Sequence, residues 1–196
     1  MYLQTEGYFH LREDGMAGCS ISLSKFMALV LRHKPKEYGL NLDPEGYVKT
    51  AELLTVIKRE KTFKDITYTD IQNAVTNSSK KRYEISGDNI RAYYGHSIPE
   101  RIEKKSATPP DILYHGTTAK SVKKIILEGI KPMGRQQVHL SSTQETAILV
   151  GKRRTSSPVI LSIDSKRANE DGVCFFAGNE DVWLADYIPQ KYLEQI

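Results

Sequence analysis

A stretch rich in proline and charge divides this 196-residue chain into two parts with different hydrophobic rhythms. Ile98 to Pro110 holds three prolines and five charged residues, so it suits neither a helix interior nor a central strand. Before it, short helical patterns run into a hairpin; after it, strand-like runs dominate. The chain is therefore expected to fold as two lobes, residues 21–97 and 111–196, joined by a linker at 98–110.

Residues 1–20 show neither helical period nor alternation and contain Gly7, Gly15 and Gly18, which predicts a poorly ordered extension. Apolar spacing then predicts a helix from Ser24, as N-cap, to about residue 33. A turn cluster at Asn41–Gly46 leads to a short extended piece at Tyr47-Val48. Thr50 is placed as cap of a second helix carrying Leu53, Leu54 and Ile57 on one face, and Thr67 or Thr69 opens a third. Arg82–Ile85, a turn at Ser86–Asn89 and Ile90–Tyr94 read as a β-hairpin. Three short helices followed by a hairpin describe a winged-helix lobe, an arrangement used for nucleic acids and also for proteins.

The second part begins with a strand at Ile112-Leu113-Tyr114 running into His115-Gly116-Thr117. A helix from about Ala119 ends at Gly129, a second strand covers Val138–Ser141, and Thr143 caps a helix ending near Gly151. Strand-like runs follow at 158–163, 173–176 and 182–184. The fold class is α+β with a mostly antiparallel sheet in this lobe. Neither GxGxxG nor GxxxxGK[ST] occurs, which argues against a Rossmann or P-loop nucleotide site.

Composition narrows the setting. At 39% hydrophobic and 27% charged, this is an ordinary globular chain, and no apolar run approaches the roughly 20 residues needed to span a bilayer. The N-terminus lacks the basic start and apolar stretch of a secretory signal. Cys19 and Cys174 lie far apart without CxxC spacing, as expected of free thiols in a reducing compartment, so a cytoplasmic or nuclear location is the expectation. Residues 20–98 carry 13 Lys and Arg against 9 Asp and Glu, whereas residues 111–196 carry 11 against 10. The basic first half suits a polyanionic partner.

Several polar residues stand where chemistry could use them. Arg32-His33 closes the first helix just before Pro35, fixing an arginine fork and a titratable ring at a helix-to-loop corner. Taken singly, each candidate also has an ordinary reading. Arg32-His33 would complement a helix dipole, His115 would be a satisfied turn histidine, His139 a half-buried strand residue and Arg135 a solvated loop cation.

In order along the chain, these residues resemble one family. Leu-Arg-His-Lys-Pro at 31–35, Lys-Lys-Arg-Tyr at 80–83 and Ile-Arg-Ala-x-x-Gly-His-Ser at 90–97 are similar to its first lobe. Tyr-His-Gly-Thr at 114–117, Arg-x-x-Val-His-Leu-Ser at 135–141, Val-Gly-x-Arg at 150–153 and Val-Trp-Leu at 182–184 are similar to its second. The family is the RNA 2′-phosphotransferases of the KptA type, and the resemblance runs from about residue 21 to the C-terminus.

The resemblance implies a winged-helix lobe joined to an ADP-ribosyltransferase-like lobe, with RNA bearing an internal 2′-phosphate, such as a tRNA, as substrate and NAD as co-substrate. It implies two steps. The 2′-phosphate attacks the nicotinamide ribose and expels nicotinamide; the ribose 2″-hydroxyl then attacks the phosphate. The products are RNA with a 2′-hydroxyl and ADP-ribose 1″,2″-cyclic phosphate. The catalytic set falls on Arg32, His33, Arg82 and Arg135, with the three arginines binding the phosphate and its transition state, and His33 serving as acid/base or 2″-hydroxyl contact. His115, Gly116, Thr117, His139, Ser141, Val150, Gly151 and Arg153 are implied in the NAD site, with Gly116 letting the dinucleotide approach the backbone. Lys81, Arg91 and His96 are expected to meet RNA. No metal is required, and a monomer is expected.

The chain departs from the family pattern in places. Tyr93-Tyr94 replaces Asn-Gln, and these tyrosines would stack on a base or cover the hinge. Gln137 stands where histidine or an aromatic is common, and Arg154-Thr155 replaces His-Gly. Val182 occupies the position where many ADP-ribosyltransferases carry glutamate. A phosphate acceptor is already anionic and needs no such base, and Glu180 and Asp181 nearby read as loop carboxylates. Two other readings stay open: an ADP-ribosyltransferase that leaves ADP-ribose on its acceptor, and a noncatalytic winged-helix binding module.

Overall fold

A computed structural model describes residues 15–78 and 81–196. Helix α1 spans Gly15–Arg32 and buries Leu23, Met27, Val30 and Leu31, the i, i+4, i+7, i+8 stripe of a helix facing a core. It starts nine residues before the expected cap at Ser24, so residues 15–20 of the supposed extension are helical and Ser24 lies inside the helix. A glycine in a helix costs only about 1 kcal/mol, which the turns that follow absorb. Residues 1–14 lie outside the described residues.

Helices α2 (Thr50–Lys58) and α3 (Tyr68–Thr76) pack with α1 on a three-stranded sheet. Its strands β1 (Tyr47–Lys49), β2 (Tyr83–Ser86) and β3 (Asn89–Ala92) lie in the antiparallel order β1-β3-β2. The hairpin turn places Gly87 at φ 56°, the first central position of a II′ turn, where glycine is favoured. Lys49, not Thr50, is the N-cap of α2, and the Thr50 N–H donates to Asp88 O of that turn at 2.8 Å. The cap of α3 is Thr67, which closes a capping box with Asp70.

The stretch 98–110 is stitched down along its length. Ile98 and Ile102 are buried, the Ala107 N–H donates to Phe175 O at 2.9 Å, and Arg101 donates to both oxygens of Asp186 at 2.7 and 2.8 Å. Gln136 binds it most closely: Nε2 donates to Ile98 O and Glu100 O, and Oε1 accepts from Ile102 N.

A second core lies against a six-stranded antiparallel sheet. Its strands are β4 (Ile112–Thr117), β5 (Val138–Ser141), β6 (Val159–Asp164), β7 (Phe175–Ala177), β8 (Val182–Ala185) and β9 (Leu193–Gln195), ordered β7-β8-β5-β4-β6-β9. Helices α4 (Ala119–Glu128), α5 (Gln144–Gly151) and α6 (Ser165–Glu170) complete it. Helix α6 and strand β9 were not anticipated, being six and three residues long and too short to show a period.

Helix α5 crosses β4 at unusually close range. A Cβ on Gly116 would lie 2.1 Å from Ala147 O, and one on Gly151 would lie 2.5 Å from Pro158 Cβ. The absence of a side chain at Gly116 is therefore needed for helix α5 to approach β4, and at Gly151 for Pro158 to approach the helix end. No helix among the described residues is long and apolar enough to cross a membrane.

Candidate active site

The end of α1 is pinned from two sides. The N–H groups of His33 and Lys34 both donate to Leu29 O, at 3.1 and 3.0 Å, and Pro35 then stops the helix. Ser97 reaches across to this corner: its N–H donates to Arg32 O at 2.9 Å and its Oγ meets His33 Nδ1 at 2.8 Å. Gly95, at φ 92°, adopts a left-handed conformation that favours glycine, and it lies beside the Arg32 side chain, a Cβ there being at ordinary contact distance from Nη1.

The Arg32 side chain runs inward. Its Nη2 donates to Arg82 O at 3.3 Å, and the guanidinium lies 5.6 Å from the Tyr83 ring centre and 5.2 Å from that of Tyr94. Its Nε is buried without a partner among the described residues. Burial lowers the pKa of Arg32, opposed by the two tyrosines and reinforced by the positive charges of Arg82 and Arg135. The guanidinium remains charged.

Arg82 arrives from the base of β2, where Nη1 makes a long 3.5 Å contact with Ser24 Oγ. Arg135 arrives from the loop before β5. Burial and the neighbouring charges of Arg154 and Arg153 lower its pKa. His33 is depressed by partial burial and then by Arg32 and Arg135, which keeps its ring neutral near pH 7. Among the described residues none of the three arginines is paired with a carboxylate. Cations gathered this closely without a counter-charge call for an anion between them.

Two histidines from the second core border this cluster. His139 Nδ1 donates to Gln137 O at 3.0 Å and His115 Nδ1 donates to His139 O at 3.1 Å, a carbonyl being able only to accept. This leaves Nε2 of each ring as a lone-pair acceptor. His139 Nε2 is buried with no partner among the described residues. Burial, then Arg135, pushes the His139 pKa down to about 3, and burial also lowers His115. The Tyr94 ring meets His139 edge-on, with centroids 5.6 Å apart, so one ring separates arginine from histidine. Asn179, in the turn between β7 and β8, donates to Tyr94 Oη at 3.3 Å and to Lys81 O at 2.8 Å, and Glu180 pairs with Lys81 Nζ.

The family model described as RNA 2′-phosphotransferase, Tpt1/KptA, matches residues 19–187. The chain belongs to this family. A protein named probable RNA 2′-phosphotransferase from Acetivibrio thermocellus is 50% identical over 171 residues, covering 87% of this chain and 94% of that one. Proteins with the same name from Bacillus thuringiensis subsp. konkukian and Pyrococcus furiosus are 43% and 40% identical, covering 88% and 89% of this chain and 93% and 94% of theirs.

In this Tpt1/KptA member the remaining candidates divide. Thr117 and Ser141 are buried at adjacent strands, Ser141 facing Val182 of β8 in register. Arg153 is exposed just past the end of α5, and Val150 is exposed on its last turn. Lys81 is exposed but engaged by Glu180. Arg91 lies over the Tyr47 ring at 4.3 Å and binds Glu84 at 2.7 Å and Glu45 at 3.5 Å, so its charge is largely spent beside the three-stranded sheet. His96, expected to meet RNA, lies in the interior. It is 3% exposed, and burial pushes its pKa down to about 3.

Ser97, Gly95 and Tyr94 were not assigned roles from the sequence beyond their motif and the hinge. The Gly-His-Ser motif was the available signal: its glycine supplies the positive φ beside Arg32 and its serine fixes His33.

Proposed function

We propose that the chain is an RNA 2′-phosphotransferase that uses NAD as co-substrate, removing an internal 2′-phosphate from RNA and yielding 2′-hydroxyl RNA, nicotinamide and ADP-ribose 1″,2″-cyclic phosphate. The observation that carries this reading is the convergence of Arg32, Arg82 and Arg135, uncompensated by carboxylates, beside a neutral His139 with an empty buried acceptor. The first lobe is read as a winged helix, supported by three helices and a β1-β3-β2 sheet. The second is read as ADP-ribosyltransferase-like, supported by its six-stranded antiparallel sheet.

The side chains present suit a dinucleotide. His139 Nε2 offers an acceptor for a ribose hydroxyl, and Arg135 and Arg153 offer forks for its phosphates. His115, Thr117 and Ser141 line the adjoining strands. NAD supplies an electrophilic ribose carbon and a neutral leaving group. Arg32, Arg82 and Arg135 hold the RNA phosphate and stabilise charge on it as it changes partners, the largest contribution such a site makes. His33, neutral and held by Ser97, is placed to take the proton of the attacking hydroxyl.

The test is incubation with NAD and an oligoribonucleotide bearing one internal 2′-phosphate. Loss of the phosphate that depends on NAD, with appearance of the cyclic phosphate, is expected. Accumulation of ADP-ribosylated RNA alone would favour the transferase that stops half-way, and no change in either substrate would sink both.

A further inference from the structure

A cavity of about 550 Å³ opens between the base of the hairpin, the stretch 98–110 and the β7–β8 turn. It is distinct from the cluster around Arg32, yet two of its lining residues, Lys81 and Tyr93, are the immediate chain neighbours of Arg82 and Tyr94. Its cations differ in availability. Lys81 is engaged by Glu180 and Arg91 by Glu84 and Glu45. Lys104 and Lys105 have no carboxylate partner among the described residues. Lys104 Nζ donates to Tyr93 O, which leaves it two further donors. Burial holds the Lys104 pKa down to about 8, so an anion placed beside it would be favoured.

The wall thus combines an aromatic ring with two ammonium groups that no carboxylate pairs among the described residues, alongside three carboxylates, of which Glu45 and Glu180 are engaged by Arg91 and Lys81 and Glu103 is left as an acceptor. Aromatic rings and basic side chains in alternation are the means by which proteins hold single-stranded nucleic acid. We propose that this cavity takes the nucleotide flanking the 2′-phosphorylated one, with its base against Tyr93 and its phosphate on Lys104 and Lys105. The proposal rests on RNA being the substrate, and it extends the site beyond the reacting phosphate.

The test uses binding alone. A fluorescent single-stranded oligoribonucleotide without any 2′-phosphate is titrated, in the absence of NAD, with the wild-type chain, Lys105→Gln, Lys104→Gln/Lys105→Gln, Tyr93→Ala and Tyr93→Phe. The double variant should weaken binding at low salt by about 10-fold or more and reduce the slope of log affinity against log salt by about one to two. Tyr93→Ala should cost about 5- to 100-fold, with Tyr93→Phe close to wild type. Wild-type affinity and salt slope in folded Lys105→Gln and Tyr93→Ala would overturn the proposal, as would failure of the wild-type chain to bind this RNA at low salt. Since the ligand is unreactive, a negative turnover assay leaves these results standing, and a positive one does not substitute for them.

Discussion

The Arg32 guanidinium carbon lies over the Tyr94 ring, 5.2 Å from its centre, while the same ring meets that of His139 in a T-shaped contact with centroids 5.6 Å apart. A single side chain therefore sets the spacing between the proposed phosphate site and the proposed ribose site. Tyr94→Leu should lower kcat by about 10- to 100-fold, because an arginine displaced by about 1 Å no longer meets the phosphate. Tyr94→Phe, which loses only the bond from Asn179, should stay within about 3-fold. His139 should titrate nearer its ordinary range in Tyr94→Leu, as measured by NMR, because burial is the largest cause of its depression. Equal kcat in both variants would refute the positioning role.

Arg82→Ala and Arg135→Ala should leave a folded protein and reduce turnover by about 100-fold or more, with ADP-ribosylated RNA accumulating. The reason is that the second step places most charge on the phosphoryl group. Chromatographic separation of labelled RNA species after a single turnover decides it; normal turnover by either variant would show that these arginines are not the ones that matter.

The order of elements was largely legible because each rests on local chemistry: the capping box at Thr67, the Gly87 turn, the apolar stripe of α1. The site was less so. Arg32, His33, Arg82 and Arg135 come from residues up to about a hundred positions apart, and only the resemblance drew them together. Local pattern also carries no sign that His96 is buried or that Arg91 is paired. Their burial and pairing depend on Gly46, Glu84 and Tyr47, which approach them through the tertiary fold. The need for glycine at 116 is equally non-local, since the atom a Cβ would meet belongs to α5.

Gly116→Ala should therefore damage folding before it damages ligand binding. A methyl 2.1 Å from Ala147 O cannot be accommodated without moving α5 off β4, and overpacking of this kind costs about 1–3 kcal/mol or more. Thermal denaturation should show a lowered midpoint. An unchanged midpoint with weakened NAD binding would restore the ligand-clearance reading.

Stability should fall with acid in a defined window. His96 and His139 stay neutral in the folded chain down to about pH 3, whereas unfolded histidine takes a proton near pH 6.5. Between those values the unfolded chain binds more protons, so stability is full above about pH 6.5 and declines as pH drops, by up to roughly 1.4 kcal/mol per pH unit for each histidine. Urea unfolding from pH 7 to pH 4 measures this slope. His96→Gln should make it shallower by about one proton, and an unaltered slope would show that His96 is not buried neutral.

Gln136 gives the stretch 98–110 an unusual standing. One side chain ties down three backbone groups of that stretch, and its own N–H donates to His96 O, while its chain neighbour is Arg135. The segment between the two cores is thus tied to the residue next to Arg135, so its length bears on where Arg135 stands. Ordinary interdomain connections tolerate added residues and chain breaks. Here a two-residue insertion or a nick at 99–102 should leave both cores folded and still uncouple the arginines.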